Sequence, residues 1–288
     1  MGRELLEIAE VAKLCDQLPE AKRLRRLLSE ADEDELRLTE NAQPALCFVG
    51  IALTLLLRHR HGLRPAAAAG HSLGEYTALA AGRAIGTEQV LHAVFERGRA
   101  MAEAVPAGET SMAAVLGLGA EEVERAIESI EDVYPCNYNT PTQTVIGGGL
   151  AALERAAEAL KAAGAKRTVP LNVSAAFHTP YMAPAAARLR RVLERLRWQD
   201  PEIPVIANLT GAAYPPNADF PDVLEQQLKS PVRWSDCVSS LVAAGVTDFV
   251  ELGPKRALGG MLKELAPAAQ AHSVGTPAAV DEFAGLVQ

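Results

Sequence analysis

"AAAAGHSLGEYTALAAG" (Ala66–Gly82) runs from small apolar residues through a Gly-His-Ser-Leu-Gly corner into apolar residues at helical spacing. A serine set between Gly70 and Gly74 predicts a strand that turns abruptly into a helix, because glycine tolerates close approach and strained dihedrals that a Cβ resists. Such a turn lifts the Ser72 hydroxyl out of a sheet. The helix is expected to start near Leu73, with its unpaired N–H groups and positive dipole end beside that oxygen, where an oxyanion could form. The same spacing also fits a tight strand-to-helix turn that carries no chemistry.

Upstream, residues 4–30 and 43–61 read as helices and "LRPAAAAG" as a short buried strand entering the corner. From Ser111 the texture changes. "SMAAVLGL" is strand-like, "AEEVERAIESI" helical, "VYPCNYN" and "TQTVIGGG" strand-like, "LAALERAAEALKAAG" helical and "AKRTVPLN" strand-like. That order, β-α-β-β-α-β, is that of a ferredoxin-like unit. A helix, "APAAARLRRVLERLRW", and two strand candidates, "IPVIANLT" and "TDFVELG", follow. The expected fold is therefore α/β: a large α/β-hydrolase-like domain with a parallel sheet, residues 1–110 and 173–288, carrying an inserted ferredoxin-like subdomain, residues 111–172.

The 288 residues are 49% hydrophobic, enough for a sizeable core. A net charge of -8 argues against a general nucleic-acid binder. Cys15, Cys47, Cys136 and Cys237 are scattered without a C-x-x-C pair, so neither a zinc site nor a disulfide framework is expected. The charged N-terminus lacks the apolar core of a secretory signal. The most apolar run, "ALCFVGIALTLLL", is too short to cross a bilayer and ends in "RHRHG". These features point to a cytoplasmic protein with no membrane partner. Arg188, Arg190, Arg191, Arg195 and Arg197 lie around one predicted helix, as a solvated face or as a dock for an acidic partner.

A serine needs a base to become a nucleophile. Of six histidines, His59, His61, His71 and His92 read as structural or exposed. His178, in "NVSAAFHTPYM", lies at a junction that could return the chain to the cleft. His272, in "AQAHSVG", is a rival, since Ser72, Asp248 and His272 follow the Ser, acid, His order of an α/β-hydrolase. Spacing alone does not choose between them. Arg97, in "VFERGRAM", could reach the cleft and bind a carboxylate through two parallel hydrogen bonds, or be an ordinary surface arginine.

Together "QPALCFVGIAL", "AGHSLGEYTALAAG", "ERGRAM", "MAAVLGL", "NYNTPTQTVIGG", "SAAFHTPYM", "PVIANLTG", "QQLKSPVRW" and "FVELGP" resemble the malonyl-CoA:acyl carrier protein transacylase family, including the free-standing acyltransferases that serve polyketide synthases. The resemblance implies that Ser72 is the acylated nucleophile, His178 its base, and Arg97 the holder of a malonyl carboxylate. It further implies an oxyanion donor in the Leu73 N–H, a carbonyl of Gln227 that orients His178, and a pocket lined by Gln43. Phe177, in "AFH", would crowd a 2-methyl branch. The implied substrates are malonyl-CoA and an acyl carrier protein, in a ping-pong reaction with no cofactor and no metal. Members of that family open with a strand and a Gly-Gln-Gly-Ser-Gln loop ahead of a helix that begins like "MGREL". The resemblance starts here at "MGRELL", so the second oxyanion donor of that loop is not among these residues, and slow acylation is expected. Hydrolysis of acyl groups from carrier proteins on the same fold, and a non-catalytic scaffold, are the competing readings. A buried arginine suits a dicarboxylic acyl group better than the plain chains of an editing hydrolase.

Overall fold

The computed structural model describes residues 1–18, 20–106 and 108–287. Its helices and strands run in the order α1 (Arg3–Leu6), α2 (Ala9–Asp16), α3 (Ala21–Ser29), α4 (Glu33–Arg37), α5 (Thr39–His61), α6 (Gly74–Ala81), α7 (Thr87–Ala102), β1 (Thr110–Leu116), α8 (Ala120–Ile127), β2 (Val133–Thr140), β3 (Gln143–Gly149), α9 (Leu150–Ala162) and β4 (Arg167–Pro170). After a 3₁₀ turn, Pro180–Met182, come α10 (Ala183–Leu193), α11 (Phe220–Lys229), α12 (Trp234–Ala243), β5 (Asp248–Leu252), α13 (Ala257–Leu265), β6 (Gln270–Val274) and α14 (Pro277–Val287).

The core is organised around α5. Apart from the half-buried Leu46, its residues from Ala45 to Leu53 are buried, so the helix is apolar all round rather than amphipathic. It is long and apolar enough to span a bilayer, yet 72% of its most apolar stretch is buried inside the protein. Pro44 lacks the N–H that would bond to the Glu40 carbonyl four residues back, and that carbonyl accepts from the Arg23 guanidinium instead, at 3.2 Å. Helix α7 packs closely against the start of α5 because Gly98 has no side chain. A Cβ there would lie 2.8 Å from Glu40 Cα. This close approach sets Arg97 opposite Gln43.

The strands β1 to β4 form an antiparallel sheet in the order β2-β3-β1-β4. Strand alternation divides its residues between two faces. Ala113, Val115 and Ile146 pack under α8 and α9 with Val123, Ile127, Ala156 and Leu160. Met112, Cys136 and Val145 cover the opposite face, where Val173 and Phe177 of the segment leading to His178 pack on them. The far side of β2 is bonded to the 230–234 segment, with Val232 N–H donating to the Cys136 carbonyl at 2.8 Å and Tyr138 N–H to the Val232 carbonyl at 2.9 Å.

Three expectations change. The helix read over residues 4–30 is α1, α2 and α3, interrupted at Glu7–Ile8 and again around Pro19, which lies outside the described residues. "LRPAAAAG" and "IPVIANLT" do not form extended strands; they meet in a single parallel bridge, Ala68 with Val205. Pro65 and Pro204 supply no ladder N–H, and the chain turns at Gly70 and again at Asn208, so each stretch has few residues free to pair. Finally, "AHSV", read only for its histidine, lies in β6, which pairs in parallel with β5 in the register Asp248 to Gln270 through Leu252 to Val274. The parallel pairing among the described residues consists of β5 with β6 and two isolated bridges, Ala68 with Val205 and Asn137 with Val232.

Candidate active site

Ser72 sits between the bridge residue Ala68 and the first turn of α6, with φ at +51°, a left-handed conformation that costs a residue with a side chain of order 1–3 kcal/mol. Gly70 makes the turn possible. A Cβ on it would overlap the Gly74 carbonyl carbon at 2.0 Å. The Leu73 N–H, at the N-cap of α6, donates to no protein group among the described residues. It is a free donor at the positive end of a helix, one residue from the hydroxyl.

Ser72 Oγ lies 2.7 Å from His178 Nε2. On the other side of the ring, Nδ1 is 2.9 Å from the main-chain carbonyl of Gln227, near the end of α11. A carbonyl only accepts, so Nδ1 carries the proton and Nε2 presents its lone pair to the serine. An acceptor without formal charge is enough to fix the tautomer. His178 is buried, and desolvation, followed by the nearby positive charge of Arg97, pushes its pKa down to about 3. The free imidazole is therefore neutral across the physiological range. We expect the acid limb of a kcat/KM profile to fall below pH 5, not near the ordinary histidine value of about 6.5. A limb centred near pH 6.5 in wild-type protein would contradict this environment.

Arg97 is 1% exposed and reaches the same hydroxyl. Its guanidinium donates to Ser72 Oγ at 3.0 Å, to Gln43 Oε1 at 2.5 Å and to Gln227 Oε1 at 3.3 Å, with its carbon 5.5 Å from the Tyr76 ring centre. Its Nε is buried without a partner, and among the described residues no carboxylate lies within ion-pair distance. Burial lowers its pKa from the usual arginine range. Gln43 is held in turn by donating to Thr39 Oγ1 at 2.7 Å.

Of the seven sites read from the sequence, the structure brings Ser72, His178, Arg97, Gln43 and the Gln227 carbonyl into one bonded group, with the Leu73 N–H beside it. Phe177 is half-buried next to His178 and packs on the Met112, Cys136 and Val145 face. The rival histidine is elsewhere. His272 is on β6, its ring 5.2 Å from that of Phe283 and its Nε2 3.6 Å from Asp248, too far for a hydrogen bond. His71, beside the serine, turns to Asn139 at 2.9 Å. Of the arginines read as a possible dock, Arg188 is spent on Glu96 and Glu103, and Arg190 on Glu194, Asp219, Asp222 and Glu225; Arg191, Arg195 and Arg197 are exposed.

The sequence reading missed the polar layer beneath these groups. Glu75 is fully buried in the first turn of α6 and accepts from Asn208 N–H at 3.0 Å, Gln227 Nε2 at 3.0 Å and the Tyr214 hydroxyl. Gln227 Nε2 also donates to the Ser72 carbonyl at 2.9 Å. One signal was available: a glutamate inside the otherwise apolar "EYTALAA" helix has no solvated face to occupy.

Residues 1–278 match the family described as the acyl transferase domain. The malonyl CoA-acyl carrier protein transacylase of Bacillus subtilis is 40% identical over 288 residues, covering 98% of this chain and 90% of the relative. That of Escherichia coli K12 is 37% identical over 257 residues, covering 88% and 83%. Among solved structures, an acyl carrier protein S-malonyltransferase from Vibrio cholerae superposes with a TM-score of 0.91 at 36% identity, covering 98% of this chain and 94% of that one. A malonyl-transacylase in complex with its type II polyketide acyl-carrier protein superposes with a TM-score of 0.92 at 34% identity, covering 99% and 94%.

Proposed function

Because the chain belongs to the acyl transferase domain family, we propose that it moves a malonyl group from malonyl-CoA to the phosphopantetheine thiol of an acyl carrier protein. One observation carries this reading: Arg97, a buried cation with no carboxylate of its own, lies 3.0 Å from the serine hydroxyl. An unpaired buried charge is costly, and a substrate carboxylate placed against it relieves that cost through two charge-assisted hydrogen bonds. An acyl group that is a thioester at one end and a carboxylate at the other fits this arrangement.

Ser72 Oγ attacks the thioester carbon while His178 Nε2 takes its proton. The oxyanion forms beside the Leu73 N–H, and Gln227, through its carbonyl, keeps the imidazolium oriented. The C–S bond breaks, His178 returns the proton to the departing CoA sulfur, and malonyl remains esterified to Ser72. The carrier-protein thiol then repeats the sequence in reverse. Arg97, steadied by Gln43, holds the malonyl carboxylate in both halves. These steps use protein groups alone. Residues 1–110 and 173–288 form the catalytic part in this reading, and 111–172 a small subdomain that contributes the face against which Phe177 packs. We assign the enzyme to the cytoplasm, in keeping with its four free, buried cysteines.

Intact mass after mixing with malonyl-CoA tests the reading. A malonyl adduct on Ser72 that disappears when holo carrier protein is added is the expected result. An adduct that decays to free malonate at the same rate without carrier protein would make the chain a hydrolase. No adduct would leave the transfer reading without support.

Phe177 gives a second test. Replacing it by serine is expected to raise the rate with methylmalonyl-CoA relative to malonyl-CoA by about tenfold, the usual scale for admitting one methyl group. An unchanged ratio of initial rates would remove Phe177 from substrate selection.

A further inference from the structure

We propose that Asn208 is a positioning residue for the nucleophile, a side chain that holds the left-handed turn at Ser72 as a neighbouring strand would. The inference rests on Ser72 being the reactive residue. Asn208 is fully buried, at the point where "IPVIANLT" leaves its bridge with Ala68. Its Oδ1 accepts from the Ser72 N–H at 2.6 Å and its Nδ2 donates to the Gly70 carbonyl at 2.8 Å. The side-chain amide thus presents one acceptor and one donor to the two ends of the turn, the pairing a peptide group offers across a sheet. No sheet neighbour supplies these bonds here, because the strand stops at the bridge.

The turn needs such a clamp. Ser72 is held at φ +51°, and strain of this kind persists where surrounding contacts over-determine it. The main-chain N–H of Asn208 also donates to Glu75 at 3.0 Å, and Glu75 accepts from Gln227 Nε2 at 3.0 Å. Gln227 orients His178 with its carbonyl and touches Arg97 with its Oε1. Nucleophile, base and guanidinium are thereby referenced to one buried group. Occupation of the Ser72 N–H by Asn208 also leaves the Leu73 N–H as the open donor of the turn.

The test reads Ser72 reactivity without relying on the acyl group. A serine-directed fluorophosphonate is used: Ser72 Oγ forms the O–P bond, the P–F bond breaks, fluoride leaves, and the proton passes to His178. Ser72→Ala is the blank. Labelling of Asn208→Ala is expected to fall about 10²-fold, the scale of a misplaced catalytic atom, while CoA affinity by calorimetry changes less than threefold. Loss of labelling and of CoA affinity in equal measure would overturn the positioning role in favour of a general structural one, as would labelling within threefold of wild type.

Asn208→Asp supplies a readout that does not depend on the alanine variant folding. Protonated, an aspartic acid can donate to the Gly70 carbonyl and accept from the Ser72 N–H as asparagine does; ionised, it sets an acceptor against that carbonyl. The titratable groups facing position 208 are Glu75 on α6 and Cys237 on α12, with His178 and Arg97 one contact further through Ser72. All four are present in wild type, so a changed profile belongs to the substitution. The variant's labelling rate is expected to rise at least tenfold from pH 8 to pH 5.5 relative to wild type, as proton uptake restores the clamp. A profile parallel to wild type would refute the proposal. If wild type labels at Ser72 yet takes no malonyl group, the transfer reading fails and the role of Asn208 stands.

Discussion

Ser72→Ala is expected to abolish the covalent malonyl adduct, and His178→Ala to slow its formation by about 10⁴-fold or more, because a nucleophile and its base act as a unit and either loss removes most of what both supply. Two distances carry the expectation: 2.7 Å from Ser72 Oγ to His178 Nε2, and 2.9 Å from Nδ1 to the Gln227 carbonyl. The residual rate in His178→Ala would come from the Leu73 N–H and from Arg97, which remain. His272→Ala should acylate within threefold of wild type, since that ring packs on Phe283 and has no contact with the serine. Rapid-quench mass spectrometry with malonyl-CoA measures all three variants on one scale. Crippling of His272→Ala with little change in His178→Ala would transfer the base to β6 and discard the arrangement described here.

The elements of the small antiparallel sheet were legible in the sequence because short apolar runs with β-branched residues, Val115 in β1 and Thr144, Val145 and Ile146 in β3, stand apart from the helical spacing of α8 and α9. The serine corner was legible for a different reason: glycines at 70 and 74 bracket a polar residue after an apolar run, the spacing of a nucleophile elbow, and the arginine and histidine motifs elsewhere in the chain favoured chemistry over a plain turn. What escaped were features decided by tertiary partners. "IPVIANLT" has the composition of a strand, but Pro204 and the turn at Asn208 leave only isolated bridges, Val205 with Ala68 and Ile206 with Ala213, and the residue that ends the pairing is the one that clamps Ser72. The polarity of Asn208 carries no sign of its partners, which lie 136 and 138 positions away. In the same way, the side chain of Gln227 was invisible behind its carbonyl, since only the structure shows that Nε2 faces Glu75 and Ser72 while Oε1 faces Arg97. For Glu75 the apolar helix around it was the one signal, and it competed with the ordinary reading of an acidic residue in a first turn, which complements the dipole.

Arg97→Ala is expected to lower transfer from malonyl-CoA by about 10²–10³-fold, the scale on which truncating one member of a buried charge pair acts, and to raise the ratio of acetyl to malonyl transfer by at least as much. The argument runs through what each acyl group leaves unpaired. In wild type, malonyl brings a carboxylate to a guanidinium that has surrendered water for Gln43, Gln227 and Ser72, whereas acetyl brings a methyl group and leaves the cation as it was. In the variant the position is reversed: malonyl must bury a carboxylate beside alanine without a counter-charge, and acetyl meets a less polar pocket at no cost. Removing Arg97 also lifts a positive charge from the vicinity of His178, so part of any change could come from a more basic imidazole. Arg97→Lys separates the two effects, because it keeps the charge near the base and loses the parallel two-bond geometry. If lysine restores the selectivity for malonyl in full, a point charge suffices. If it restores the pH profile but less than a tenth of the malonyl preference, the fork of the guanidinium is what selects the dicarboxylic acyl group. Equal losses with acetyl-CoA and malonyl-CoA in Arg97→Ala would show that the arginine serves the serine and not the substrate carboxylate, and the assignment of a malonyl donor would have to be withdrawn.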